Sequence, residues 1–178
     1  MTGRREPLRA LVAEELTRPV LPPVAGMAAA IASRYPGSRA VLYYGSTLRD
    51  AQLEGLMLDF YLIVADYEQA FGKTWLARAN RLLPPNVFPF EHNGLIAKYA
   101  VLSEEDFARL ASSRTRNVSV WARFAQPSRL VWSAEAAASE KAIDSVMQDG
   151  NTLKMKLAAI QHALNNIANG VSPLGTLQ

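Results

Sequence analysis

The spacing of apolar residues changes period along this chain, and the changes mark its elements. Residues 40–44 and 58–64 are compact β-prone runs, the second (Leu-Asp-Phe-Tyr-Leu-Ile-Val) being the strongest strand signal in the sequence. Helical spacing predicts a short amphipathic helix over 7–16, stopped by the prolines at 19, 22 and 23. It also predicts an alanine-rich helix over 24–35 closed by Pro36-Gly37, and a helix over 67–83 ended by Pro84-Pro85. Residues 86–91 and 95–102 read as a hairpin joined through His92-Asn93-Gly94, with Asn-Gly as the turn signal. Ser103-Glu104-Glu105-Asp106 is a helix start, with a Ser cap and acids in the first turn. The C-terminal third is predicted helical. There Leu153, Leu157, Ile160, Leu164 and Ile167 form one apolar stripe at spacings of four and three.

This order of elements predicts an α/β (α+β) fold, a mixed sheet flanked by helices with a helical C-terminal region. At 178 residues the chain is long enough for one sizeable domain, or a core with a helical annex. Apolar residues make up 49% and charged residues 20%, the balance of an ordinary globular protein. The absence of cysteine excludes a disulfide framework, a thiol nucleophile and a thiolate metal site, and it suits a reducing compartment. No charge-free apolar stretch approaches the length of about twenty residues needed to span a bilayer. Nor does the N-terminus carry the apolar run of a secretory signal, so a cytoplasmic location is expected. The net charge of +3 is modest, but it is unevenly placed. Residues 107–134 contain no acid and five arginines (109, 114, 116, 123 and 129), either a solvated face or a surface for phosphates and anionic headgroups.

Candidate chemistry concentrates in Val41-Leu-Tyr-Tyr-Gly-Ser-Thr-Leu-Arg-Asp50 and in the strand that opens with Leu58-Asp59. A strand ending in Gly45-Ser46 lets the backbone approach a phosphate closely and adds a hydroxyl donor beside main-chain N–H groups. A helix beginning near Thr47 would add a favourable dipole. Asp59, on a neighbouring strand, could hold Mg²⁺ against triphosphate oxygens. Because side chains alternate along a strand, Tyr61 shares a face with Asp59.

This pattern resembles the polymerase-beta nucleotidyltransferase superfamily, whose signature is Gly-Ser followed by Asp-x-Asp on the next strand. Here Tyr61 stands where the second acid is usual. Tyr-Gly-Ser with Leu-Asp-Phe is similar, more narrowly, to the mitochondrial-type CDP-diacylglycerol synthases and their bacterial relatives. Two further stretches extend that resemblance. Leu95-Ile-Ala-Lys-Tyr-Ala-Val-Leu-Ser103 is similar to the family's Ile-Lys-Tyr-Gly-Val-Val-Ser segment. Trp121-Ala-Arg-Phe-Ala-Gln-Pro127, followed by Leu130-Val-Trp132, is similar to its Gly-Arg-Leu-x-Lys-Pro segment. The resemblance covers residues of about 40 to 132 within a nucleotidyltransferase-like domain at 1–132. It leaves 133–178 as a helical C-terminal region that ends as if interrupted.

The resemblance implies transfer of CMP from CTP to phosphatidic acid, giving CDP-diacylglycerol and pyrophosphate, with Mg²⁺ as cofactor. It assigns Tyr44, Gly45 and Ser46 to the nucleotide and Asp59 to the metal; Asp50, Glu54 and Glu91 are the sequence's own candidates for a second ligand, beside substrate phosphates and water. Lys98 and Arg123 would neutralise phosphate charge. It further implies peripheral attachment to an anionic membrane surface at the inner face, and no nucleic-acid partner. Two other readings stay open: a nucleotidyltransferase that modifies RNA or a protein, and a degenerate domain that binds a nucleotide or a partner.

Overall fold

The computed structural model describes residues 5–49, 52–72, 75–82, 86–112, 120–124 and 126–147. Five strands form its frame: β1 (Ser38–Tyr44), β2 (Met57–Val64), β3 (Asn86–His92), β4 (Leu95–Ser103) and β5 (Ser128–Ser133). They make one sheet in the order β3-β4-β2-β1-β5. Only β2 and β4 run parallel; the β1–β2, β3–β4 and β1–β5 pairs are antiparallel. Seven helices accompany the sheet: α1 (Arg5–Leu16), α2 (Pro22–Ser33), α3 (Tyr67–Phe71), α4 (Trp75–Leu82), α5 (Glu104–Leu110), α6 (Trp121–Phe124) and α7 (Ala136–Met147). A mixed sheet flanked by helices is therefore the architecture, as the sequence predicts.

The two-residue period of β2 divides the interior. Leu58, Phe60, Leu62 and Val64 face α2, where they pack with Met27, Ala28 and Ile31. Tyr61 and Ile63 face the other way, into a second core built with Val12 and Leu16 of α1, Phe107 of α5, Phe124 of α6 and Ile143 of α7. With both faces covered, β2 is apolar from Phe60 to Val64, which explains its continuous signal in the sequence. The edge strand β3 instead alternates between half-buried and exposed positions.

The hairpin forms with the expected turn. Asn93 and Gly94 both have positive φ, 50° and 77°, as a type I′ turn requires. Ser103 caps α5, its Oγ accepting the Asp106 N–H at 3.1 Å. Two expectations are corrected. The helix expected over 67–83 is two helices, because Gly72 at φ 69° ends α3 and turns the chain before α4. Residues 128–133 form an unexpected fifth strand, recruited by pairing along β1. The apolar stripe from Leu153 to Ile167 lies outside the described residues. Among the described residues, no helix is long and apolar enough to cross a membrane.

At the end of the sheet where β1 begins, Glu104 ties three elements together. It receives Arg39 Nε of β1 at 3.2 Å and Lys141 Nζ of α7 at 2.9 Å. Partial burial alone would raise the carboxyl's pKa, but its two cations outweigh that and hold it below the ordinary 4.5. A carboxylate depressed in the folded state adds stability that is fully present above pH 4.5 and is lost as pH falls through the lowered value. Glu104→Gln should therefore cost about 1 kcal/mol at pH 7. The difference from the parent protein should close as pH falls below that range, as urea denaturation at several pH values would measure.

Candidate active site

The opposite end of the sheet is arranged differently. Strand pairing sets Pro89, Lys98, Asp59, Tyr44 and Ser128 in one row across all five strands. Partners in register share a face, so Asp59 lies between Lys98 and Tyr44 on the face away from α2. Immediately after Tyr44 the chain turns at Gly45, whose φ of 107° is outside the range that L side chains readily adopt. A Cβ there would sit 3.4 Å from Asp59 Oδ2, so glycine also brings the turn close against the carboxylate. Residues Ser46–Arg49 continue as a single 3-10 turn. It is anchored by a buried hydrogen bond from the Tyr43 hydroxyl to Thr47 Oγ1 at 2.8 Å. The helix considered near Thr47 is, over the described residues, one 3-10 turn, which supplies little macrodipole. What faces a ligand here is the Gly45–Ser46 backbone with the exposed Ser46.

Asp59 is the site's unusual group. Lys98 Nζ is 3.2 Å from its Oδ1, within ion-pair distance. The approach is not that of a directed hydrogen bond, and Oδ1, shielded from solvent, accepts none among the described residues. A shielded carboxylate oxygen whose neighbouring ammonium lacks hydrogen-bond geometry is incompletely satisfied, which is costly in a finished core. Lys98 is itself half exposed. Across the row, the exposed Arg123 of α6 places its guanidinium carbon 5.7 Å from the Tyr44 ring centroid. Among the described residues no acid pairs with it.

Behind these charges lies an aromatic floor. Tyr44 and Tyr61 stack at 4.9 Å, and Tyr61 packs on Phe124 at 5.5 Å. Burial pushes both phenols above their ordinary pKa, most strongly that of Tyr44, with Asp59 adding to the shift and Arg123 opposing it. Both therefore stay neutral. Tyr61 thus fills the position of the second acid with a protonated, packed ring.

Six of the residues expected at the site converge: Tyr44, Gly45, Ser46, Asp59, Lys98 and Arg123. Glu91 does not join them. It is exposed on β3 opposite Ile96, two strands and two residues from Asp59, or about 12 Å between Cα atoms on sheet geometry. Nor do the described residues gather three or more His, Cys, Asp or Glu side chains around any point. For Mg²⁺ the fit is that of one protein carboxylate, Asp59, with substrate phosphates and water completing the shell. The acid-free stretch is not one free basic surface. Arg109 pairs with Asp106, and Arg129 lies 3.9 Å from Glu15 of α1. Arg114 and Arg116 lie outside the described residues. Tyr61 was legible through its spacing from Asp59, but its role as the site's floor was not.

No protein-family model and no curated protein matches the chain. Among solved structures it is similar to a nucleotidyltransferase-like protein from Exiguobacterium sibiricum, at 13% sequence identity and a TM-score of 0.41. The likeness covers 82% of this chain and 48% of the other, so the chain spans about half the length of that protein.

The geometry at Gly45 is testable by stability alone. Gly45→Ala should cost about 1–3 kcal/mol, since it forces a side chain onto positive φ. Ser46→Ala, at an exposed hydroxyl, should stay within about 0.5 kcal/mol of the parent. Chemical denaturation of the two variants beside the parent measures both.

Proposed function

We propose that this chain is a Mg²⁺-dependent nucleotidyltransferase that moves CMP from CTP to phosphatidic acid. The observation that carries the reading is the shielded, unbonded Asp59 Oδ1, set against a Gly-Ser turn and flanked by Lys98 and Arg123. A carboxylate with spare lone pairs beside two cations suits a polyanion that arrives with its metal. CTP and phosphatidic acid as the substrates come from the sequence resemblance.

In this reading a phosphate oxygen of phosphatidic acid attacks the α-phosphorus of CTP. A new P–O bond forms, the bond from the α-phosphorus to the bridging oxygen breaks, and pyrophosphate leaves with the electron pair. The attacking oxygen is already anionic, so no side chain has to remove a proton, and the neutral Tyr44 and Tyr61 suit such a site. The residues' task is to bring two polyanions together. Gly45 and Ser46 offer the triphosphate a close backbone approach and a hydroxyl, while Lys98 and Arg123 offset the charge of the two substrates' phosphates. Bound Mg²⁺ would offset charge on the triphosphate and pyrophosphate oxygens, with Asp59 as its protein ligand.

An RNA or protein acceptor draws less support, because Arg109 and Arg129 of the basic stretch are engaged within the molecule. A nucleotide-binding domain without turnover draws support from Tyr61, which leaves the site a single carboxylate. The deciding experiment gives the purified protein labelled CTP, Mg²⁺ and phosphatidic acid in mixed micelles. Lipid-extractable label should appear, require both Mg²⁺ and phosphatidic acid, and fall by about a hundredfold or more in Asp59→Ala. Mg²⁺-dependent CTP binding without product would instead establish the binding-domain reading.

A further inference from the structure

The face that carries Asp59 changes character at the Asp59–Lys98 row. On one side Tyr61, Ile63, Ala100 and Leu102 are buried beneath helices. On the other, over β2 and β4, no described residue covers the face. Met57 and Ile96 are register partners there and are 51% and 49% exposed. Alternation puts both on the same face as Lys98, and apolar surface beside an active corner marks an interaction site. Extension of the sheet by another strand does not explain it, because the edge strand β3 carries Pro89 opposite Lys98 and so lacks a donor there. The charged groups on this part are Lys98, next to the apolar residues, and Glu91 at the outer margin opposite Ile96. One cation adjoining an apolar strip, with an acid beyond it, complements a single anionic head followed by an uncharged chain.

We infer that the Asp59–Lys98 pair divides the site. The nucleotide lies on the β1 side against Gly45, Ser46 and Arg123. The acceptor, a phosphate monoester on an alkyl chain, lies on the β4 side with its head on Lys98 and its chain across Ile96 and Met57. This rests on reading the corner as a nucleotidyltransferase site, and it assigns the two cations to different substrates: Arg123 to the triphosphate and Lys98 to the acceptor.

Calorimetric titration of the full chain with inorganic phosphate and with hexyl, octyl and decyl phosphate, each below its micelle concentration, tests the division without turnover. Affinity should rise about two- to fourfold per added methylene. The combined Met57→Ser and Ile96→Ser changes, at exposed positions, should flatten that rise while Mg²⁺–CTP binding stays unchanged. Lys98→Gln should weaken every alkyl phosphate by about tenfold, whereas Arg123→Gln should weaken CTP and leave the alkyl phosphates alone. Affinity independent of chain length overturns the inference, as does equal loss of alkyl-phosphate binding in Lys98→Gln and Arg123→Gln. A dimer in sedimentation that the Met57 and Ile96 changes dissociate would also overturn it, by giving the patch to a second copy of the chain. Chain-length-dependent binding without any Mg²⁺–CTP binding would retain the alkyl-phosphate surface but defeat both the nucleotidyltransferase reading and the division built on it.

Discussion

Strand β2 is hydrogen-bonded on both sides along its length, antiparallel to β1 and parallel to β4, and this double pairing fixes the rest. A strand bracketed in this way cannot slip by one residue without turning Phe60 and Leu62 out of one core and Tyr61 and Ile63 out of the other. The same register brings the end of β1 beside Asp59 and sets Lys98 on the opposite side. The site is thus a by-product of packing two apolar cores on one strand. Asp59 is held where the core ends, and no loop has to position it.

Tyr61 shows how that constraint shapes the chemistry. A second carboxylate at this position would lie under α6, against Phe124, in a region that the helices have dried. The chain places a phenol there, which keeps its proton because burial opposes ionisation. The local charge is then one carboxylate against two cations, a balance that favours a polyanionic ligand. Arg123 reaches this corner from a single helical turn, α6, whose Phe124 is fixed in the second core, so packing by one residue aims its neighbour.

How much of this was legible depended on whether the signal was local. The strand at 58–64, the Asn-Gly turn and the Ser103 cap are carried by a few adjacent residues, and each was readable from the sequence. Likewise Gly45, Ser46 and Asp59 could be named from a strand, a turn and a spacing. The helix break at Gly72 escaped because the residues on either side keep helical spacing. Strand β5 escaped because its pairing with β1 is made across about ninety residues of chain. The same distance effect hid the fate of the basic stretch: Glu15, which meets Arg129, belongs to the first helix. Glu91, a candidate second ligand, stands apart from Asp59 for a related reason. Its place along the sequence is near Lys98, but the hairpin carries it to the sheet edge, with β4 between it and Asp59.

The two ends of the sheet make opposite use of charge, and the contrast locates the chemistry better than shape does. A cavity of about 440 Å³ lies at the Glu104 end, floored by Ala40, Ile63 and Phe107. Its size would make it the first place to look for a ligand. Yet its charged rim is already satisfied: Arg39 with Glu104 and Glu135, Lys141 with Glu104, and Asp144 with Arg9. Those pairs bind α7 and α5 to the sheet and leave little for a guest to gain. At the Asp59 end the arrangement is looser. Lys98 stands beside an oxygen it does not hydrogen-bond, Arg123 rests on a ring, and Ser46 faces solvent. Charges left incompletely paired at the edge of a well-packed core reduce the stability available there, and a ligand that completes the pairing recovers it. By that argument the corner around Asp59, and not the cavity at the Glu104 end, is where the proposed polyanion would bind.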